Sequence, residues 1–421
     1  MRVLMVSWEY PPVVVGGLGR HVHELARELT AAGHEVVVLS RRPTGSDAGT
    51  HPTVDEQLDG IRVLRAAEDP AHLEFERDMI GWTLAMGHAM VRAALTRLAD
   101  WRPDVVHAHD WLVAHPAIAL ADVLDAPLVA TLHATEAGRH AGWLSAPLNR
   151  QVHSVEWWLA HRADTVITCS RSMRDEVATL FDLDPEPIAV VHNGITPRNW
   201  RVGAEQVAAV RARYAADGAP LLLYFGRLEY EKGVQDLLAA LPRIRRRHPG
   251  TRLVVAGAGT QQEFLVAEAR RHRVRRSVTF TGHLPDAELA ALLAAAAAVV
   301  LPSRYEPFGI VALEAAAAGA PLVASTAGGL GEVVRNGLTG LSFAPGDVPG
   351  LAGAVGVVLD DPAAAARRAR AARSRLGTDF GWTAVAADTA AVYARTPHGG
   401  PVDLERPKIP TGNVFGPPDA P

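Results

Sequence analysis

Short apolar runs alternate with longer stretches of helical periodicity along most of the chain. Residues 3–7, 35–40, 105–109, 128–133 and 165–169 are nearly uninterrupted apolar runs, the pattern of strands buried on both faces rather than one. Between the first two, Val22, Leu25, Ala26 and Leu29 recur at helical spacing, and Gly33 is placed to end that helix. The alternation resumes with predicted strands at 221–225, 253–256, 278–281, 298–301 and 322–325. Strand–helix–strand order favours parallel sheets with crossover helices, so the predicted class is α/β. Two such series predict two doubly wound domains, joined near His192-Asn193-Gly194-Ile195, where a strand gives way to a looser polar stretch. Residues 397–421 carry seven prolines and no apolar periodicity, and read as a disordered tail.

Composition narrows the picture. The 421 residues are 48% hydrophobic and 21% charged, enough apolar material for two or three packed domains. A net charge of −4 recommends neither nucleic acid nor an anionic membrane as partner. The single cysteine, Cys169, has no internal partner and sits in an apolar run, which predicts a buried thiol. The longest apolar stretch, 289–301, is too short to span a bilayer and ends at Pro302. Together with an N-terminus that lacks a signal-peptide pattern, this predicts a soluble, cytoplasmic chain with no integral membrane segment.

Ligands of open α/β sheets bind at the carboxyl ends of strands, and chemically able residues cluster there. After the first strand, Gly16 and Gly17 open a helix, where backbone can approach a ligand and unpaired N–H groups can meet an anion. The spacing is not that of a dinucleotide fingerprint, which counts against a dehydrogenase. His107-Ala108-His109-Asp110-Trp111 and His133-Ala134-Thr135-Glu136 each follow a strand, so Asp110 and His133 should lie near one another. His107 and His109 with Asp110 also fit part of a zinc-hydrolase ligand set, but no further His or Cys pair at ligand spacing supports it. In the second half, Arg227 and Lys232 lie between a strand and a helix beside Gly226 and Gly233, an arrangement suited to an anion. Glu306 precedes Pro307 in a loop. Glu314 falls inside the following helix, whose start brings the N–H groups of Phe308, Gly309 and Ile310 toward the same crevice. One carboxylate there suits a polyhydroxyl ligand, and two suit a sugar and a ribose together. Thr326-Ala327-Gly328-Gly329 repeats the glycine-then-helix device, either as a further ligand contact or as a loop requiring close backbone packing.

In this order the segments resemble the GT-B glycosyltransferases of family GT4 and the related bacterial glycogen synthases, over roughly residues 1–395. The stretch 6–23, Asp110 within its motif, and 133–139 are more similar still to actinobacterial α-1,4-glucosyltransferases of glycogen and methylglucose lipopolysaccharide synthesis. The resemblance implies two Rossmann-like domains facing a cleft. They are an acceptor-side domain, 1–194 with a return helix over 378–396, and a nucleotide-sugar-binding domain over 195–377. It implies that Arg227 and Lys232 hold the donor diphosphate, that Glu314 holds ribose hydroxyls, and that Glu306 with the Phe308–Ile310 amides faces the hexose. His133 would contact that hexose near its reacting end, Asp110 would sit by sugar or acceptor, and Gly16 and Gly17 would close over the donor. Base contacts would come from backbone around His283.

The implied activity is retaining transfer of α-glucose from a nucleotide diphosphate sugar to the non-reducing end of an α-1,4-glucan. No cofactor and no obligatory metal are expected. Bacterial glycogen synthases commonly carry a lysine shortly before the first Gly-Gly, whereas this chain has Val13, Val14 and Val15. The ADP-glucose preference of those enzymes is thereby put in question and UDP-glucose slightly favoured. The alternatives are a GDP-mannose-dependent or other hexosyltransferase acting on a lipid or small-molecule acceptor, a nucleotide-sugar epimerase, and a silent nucleotide-sugar sensor.

Overall fold

The computed structural model describes residues 1–14, 16–43, 52–67, 70, 72–215 and 218–397. Val15 and all but the first residue of the predicted tail lie outside them. The chain divides into two compact units, Met1–Asn193 with the segment from Trp382 onward, and Gly194–Gly381.

The first unit is built on an eight-stranded sheet in the order β3-β4-β2-β1-β5-β6-β7-β8. Its strands are β1 (Arg2–Ser7), β2 (Glu35–Arg41), β3 (Val54–Leu58), β4 (Ile61–Ala66), β5 (Val105–His109), β6 (Leu128–Leu132), β7 (Thr165–Thr168) and β8 (Ala189–Val190). All pairings are parallel except β3 with β4. Val3, Met5, Val36, Val38, Val63, Val105, Val129 and Ile167 meet Val22, Leu25, Ala26 and Leu29 of the helix Gly17–Ala31 in one core. Gly33, at φ +89°, ends that helix, with Gly33 N–H donating to Thr30 O and His34 N–H to Leu29 O. The C-terminal helix Trp382–Arg395 completes this core through Trp382, Val385, Ala386, Val392 and Tyr393. It begins at Trp382 rather than residue 378. Leu376–Asp379 is a separate turn of helix, Ile195 N–H donates to Phe380 O at 2.9 Å, and Ile195 bridges to Gly381 within the second unit.

The second unit carries six parallel strands in the order β11-β10-β9-β12-β13-β14. They are β9 (Leu221–Phe225), β10 (Arg252–Ala256), β11 (Val278–Gly282), β12 (Ala298–Leu301), β13 (Leu322–Ser325) and β14 (Leu341–Phe343). In each sheet the strand order reverses direction at one place, between β1 and β5 and between β9 and β12. Loops leaving adjacent strands there run to opposite faces, which opens a crevice for ligand. No single helix among the described residues is long and apolar enough to cross a membrane.

Candidate active site

In the second unit the loops after β9 and β12 are stitched together by backbone. A Cβ on Gly233, at φ +69°, would lie 1.9 Å from Pro302 O, so only glycine lets these loops abut. Arg304 N–H donates to Glu231 O at 2.8 Å, and the Arg304 guanidinium forks both Asp236 oxygens at 2.9 and 2.8 Å. Across this junction Lys232 Nζ donates to Glu306 Oε2 at 2.9 Å, both side chains largely buried. Lys232 and Glu306 are thus brought together although 74 residues apart. Arg227 is set differently, being mostly exposed and ion-paired to Glu231 at 3.4 Å. Its loop is fixed by Tyr224, whose hydroxyl donates to Arg227 O at 2.6 Å.

The helix Ile310–Ala318 starts at Gly309, at φ +102°, with no side-chain cap, and ends at Gly319. Its first turn begins beside Glu306, whose Cγ would lie 3.7 Å from a Cβ on Gly309, and first-turn amides can serve an anion or a hydroxyl. Phe308 and Glu314 are buried. Gly329 is explained by packing: a Cβ there would lie 2.4 Å from Phe308 Cα, and its N–H donates to Glu306 O at 2.9 Å. The close-packing reading of the Gly328-Gly329 loop thus accounts for Gly329, which braces the Glu306 loop. His283 is exposed after the edge strand β11, two strands from β9, and stands apart from the Lys232–Glu306 pair.

In the first unit, β5 and β6 pair in register, and Asp110 N–H donates to Thr131 O at 2.9 Å. Asp110 Oδ1 in turn accepts from His133 N–H at 2.7 Å, so the two residues are neighbours. Burial pushes the Asp110 carboxyl up to about 6, against the His133 and Ala134 amides and Arg139, which lower it. Asp110 holds φ +64° and ψ 171°, a conformation nearly restricted to glycine. Burial lowers the His133 ring to about 4, so it is neutral at neutral pH. Gly16 N–H donates to Glu9 Oε2 at 3.0 Å, Gly16 and Gly17 are exposed at an uncapped helix start, and a Cβ on Gly16 would meet open space.

His107 is not part of a metal set. Its ring is spent on Tyr393 Oη and Thr131 Oγ1, both at 2.7 Å. His109 instead reaches His133, Nδ1 to Nε2 at 3.2 Å, and His21 stacks edge-on to His133 with centroids 4.8 Å apart. Sequence spacing gave no sign of His21, which occupies a core-facing position among Val22 and Leu25. The same holds for Asp236, 68 residues from the arginine it pairs with.

Behind this site Glu156 is fully buried and accepts from Glu136 N–H at 2.9 and 3.1 Å. Burial raises its carboxyl well above the usual range, opposed in part by Arg139. The folded state therefore holds the proton more tightly than the unfolded chain. Stability contributed by the neutral acid is fully present below the unfolded pKa and declines as pH rises toward the folded value. Glu156→Gln should raise Tm at pH 8 by about 3 °C, the shift that roughly 1 kcal/mol produces in a domain of this size. It should give little gain near pH 4. Thermal unfolding at both values checks this, and equal shifts would refute it.

Residues 15–199 match the family model Glycosyltransferase Family 4, and residues 208–375 match Glycosyl transferases group 1. The chain is 61% identical over 405 residues to a glycogen synthase of Mycobacterium tuberculosis, covering 95% of this chain and 96% of that protein. It is 32% identical to the alpha-maltose-1-phosphate synthase of the same organism, over 94% and 99% of the two chains. Among solved structures, the sucrose-phosphate synthase of Thermosynechococcus elongatus superposes with a TM-score of 0.77 at 26% identity, over 94% of this chain and 98% of that one. With two parallel-sheet units whose polar loops leave the switch points of both sheets, the chain belongs to the family-4, group-1 glycosyltransferases and has the GT-B fold.

Proposed function

We propose that the chain transfers α-glucose, with retention, from a nucleoside diphosphate glucose to the non-reducing end of an α-1,4-glucan. The observation that carries this reading is the largely buried Lys232–Glu306 pair beside the uncapped start of the Ile310–Ala318 helix. The 61% identity to a glycogen synthase supports the hexose and the acceptor.

In this reading the C1–O bond to the diphosphate breaks as an acceptor hydroxyl attacks C1 from the same face. The electron pair leaves with the diphosphate, which then takes the hydroxyl proton. Lys232 and Arg227 meet the growing negative charge, worth on the order of 3 kcal/mol per preorganised donor. Two side-chain cations can supply what a divalent ion supplies elsewhere, so transfer should need no metal and no cofactor. Glu306 and the Phe308–Ile310 amides serve the hexose, Glu314 the ribose, and His133 and Asp110 the hexose and the acceptor. Gly16 and Gly17 leave room for donor backbone contacts, and His283 lies in the segment assigned to the base. The absence of a lysine at Val13 and Val14 favours UDP-glucose over ADP-glucose. A cytoplasmic location accords with an intracellular donor of this kind.

Diphosphate release should be measured from UDP-glucose, ADP-glucose and GDP-mannose, each with and without a short α-1,4-glucan. Glucan-dependent release from a glucose donor is expected, fastest with UDP-glucose. Release from GDP-mannose alone would move the function to another hexose and a lipid or small-molecule acceptor.

A further inference from the structure

The histidine cluster of the first unit has more ligand capacity than sugar recognition uses. One ring nitrogen from each of His21, His109 and His133 lies within 4.8 Å of the others. They come from three elements: the helix Gly17–Ala31, the end of β5, and the residue after β6. We propose that these three histidines form a site for a divalent ion of the zinc class, and that its occupancy withdraws His133 and reversibly inhibits transfer. The inhibition rests on the function proposed above, whereas the binding does not.

The geometry is close to what the ion requires. Zinc–imidazole bonds of about 2.0–2.1 Å in a tetrahedron set neighbouring nitrogens about 3.4 Å apart. His109 Nδ1 and His133 Nε2 already stand at 3.2 Å, so one edge of that tetrahedron is in place. Bringing in the third nitrogen from within 4.8 Å takes a movement of about 1.4 Å, within reach of a small rotation of the His21 ring. His21 and His109 are 5% and 0% exposed, and among the described residues His21 Nδ1 has no hydrogen-bond partner. Unpartnered buried polar atoms cost stability unless something meets them. The hydrogen bond between His109 Nδ1 and His133 Nε2 places one proton between them, and an ion binding there moves that proton to the far nitrogen of its ring. His107, engaged by Tyr393 and Thr131, is excluded as a ligand and holds the base of the cluster rigid. Three imidazoles leave a fourth position open, and His133 is the only one of the three with appreciable exposure. An ion bound there would hold the ring that the hexose needs.

Donor diphosphates chelate metals, so binding is measured first on the full chain without donor, using Co²⁺ alone. One equivalent should give the intense visible bands of a tetrahedral nitrogen site, and Zn²⁺ should displace them. In the transfer assay, Zn²⁺ should inhibit and a chelator should restore the rate. His21→Gln should raise the inhibitory zinc concentration at least tenfold, read against that variant's own zinc-free turnover. Unchanged zinc sensitivity in His21→Gln would overturn the proposal. If that variant does not fold, crystals of the wild-type chain soaked in ZnCl₂ decide it: an anomalous peak among the three rings supports the site, and its absence at saturating zinc refutes it. Cobalt binding without inhibition would keep the metal site and count against the role assigned to His133.

Discussion

Replacing Lys232 with alanine is expected to lower kcat about 100- to 1,000-fold, the loss that follows removal of one preorganised donor facing a leaving anion. Lys232 and Glu306 are 14% and 12% exposed, against 57% for Arg227, so solvent screens the lysine's charge far less. As the C1–O bond lengthens, charge gathers on the diphosphate, and a cation already fixed in place stabilises it without reorganisation. The same substitution leaves the Glu306 carboxylate without its ion-pair partner, a structural cost that could imitate a catalytic one. Two further variants separate these effects. Lys232→Arg keeps the charge but replaces a compact ammonium with a planar fork, and should recover part of the rate. Lys232→Ala with Glu306→Gln removes both charges and should restore Tm without restoring kcat. Steady-state kinetics at saturating donor and thermal unfolding on all four proteins provide the measurements. A Lys232→Ala enzyme within about threefold of wild type would remove this residue from the mechanism, since a preorganised donor is worth far more. Recovery of kcat in the double variant would assign the loss to the isolated carboxylate.

The central strands were legible because parallel strands covered on both faces are buried and mostly apolar, as β1, β5, β6 and β9 are apart from Arg2 at the start of β1. The strand β3 was not, because Val54–Leu58 is an antiparallel edge with Asp55, Glu56 and Gln57 exposed. Charges of that kind discourage further pairing, and here they also meet Arg62 and Arg65. The short strand β14 offered too few residues for a pattern. In the site, Asp110 and His133 could be paired from sequence because each follows a strand, whereas His21 and Asp236 could not. Their roles depend on ring contacts and ion pairs between segments far apart in the chain, and neither leaves a local spacing. The close packing of the Gly328-Gly329 loop was visible only in three dimensions, where Phe308 fills the space that a Cβ on Gly329 would take.

Asp110→Asn is expected to reduce kcat at least 100-fold while leaving the fold intact, a loss within the about 10²–10⁴-fold range of a positioned acid–base or charge-stabilising group. The backbone singles this residue out. At φ +64° and ψ 171°, Asp110 carries strain of about 1–3 kcal/mol that glycine would not. That strain persists at the end of β5 where the carboxylate is delivered beside His133 and accepts its N–H at 2.7 Å. Asp110→Gly should therefore have two opposed effects on stability. Relief of the backbone is offset by about 1–3 kcal/mol for the buried amide left without its acceptor. Its Tm should fall close to that of the wild type, while its kcat drops as far as that of Asp110→Asn. Near-native stability with lost turnover would mean that the conformation is maintained for what the carboxylate does to substrate, not for what it does for the fold. The opposite pattern, turnover retained in Asp110→Gly with a much lower Tm, would make Asp110 a structural anchor for the His133 loop. Of the two, only His133 would then serve the hexose.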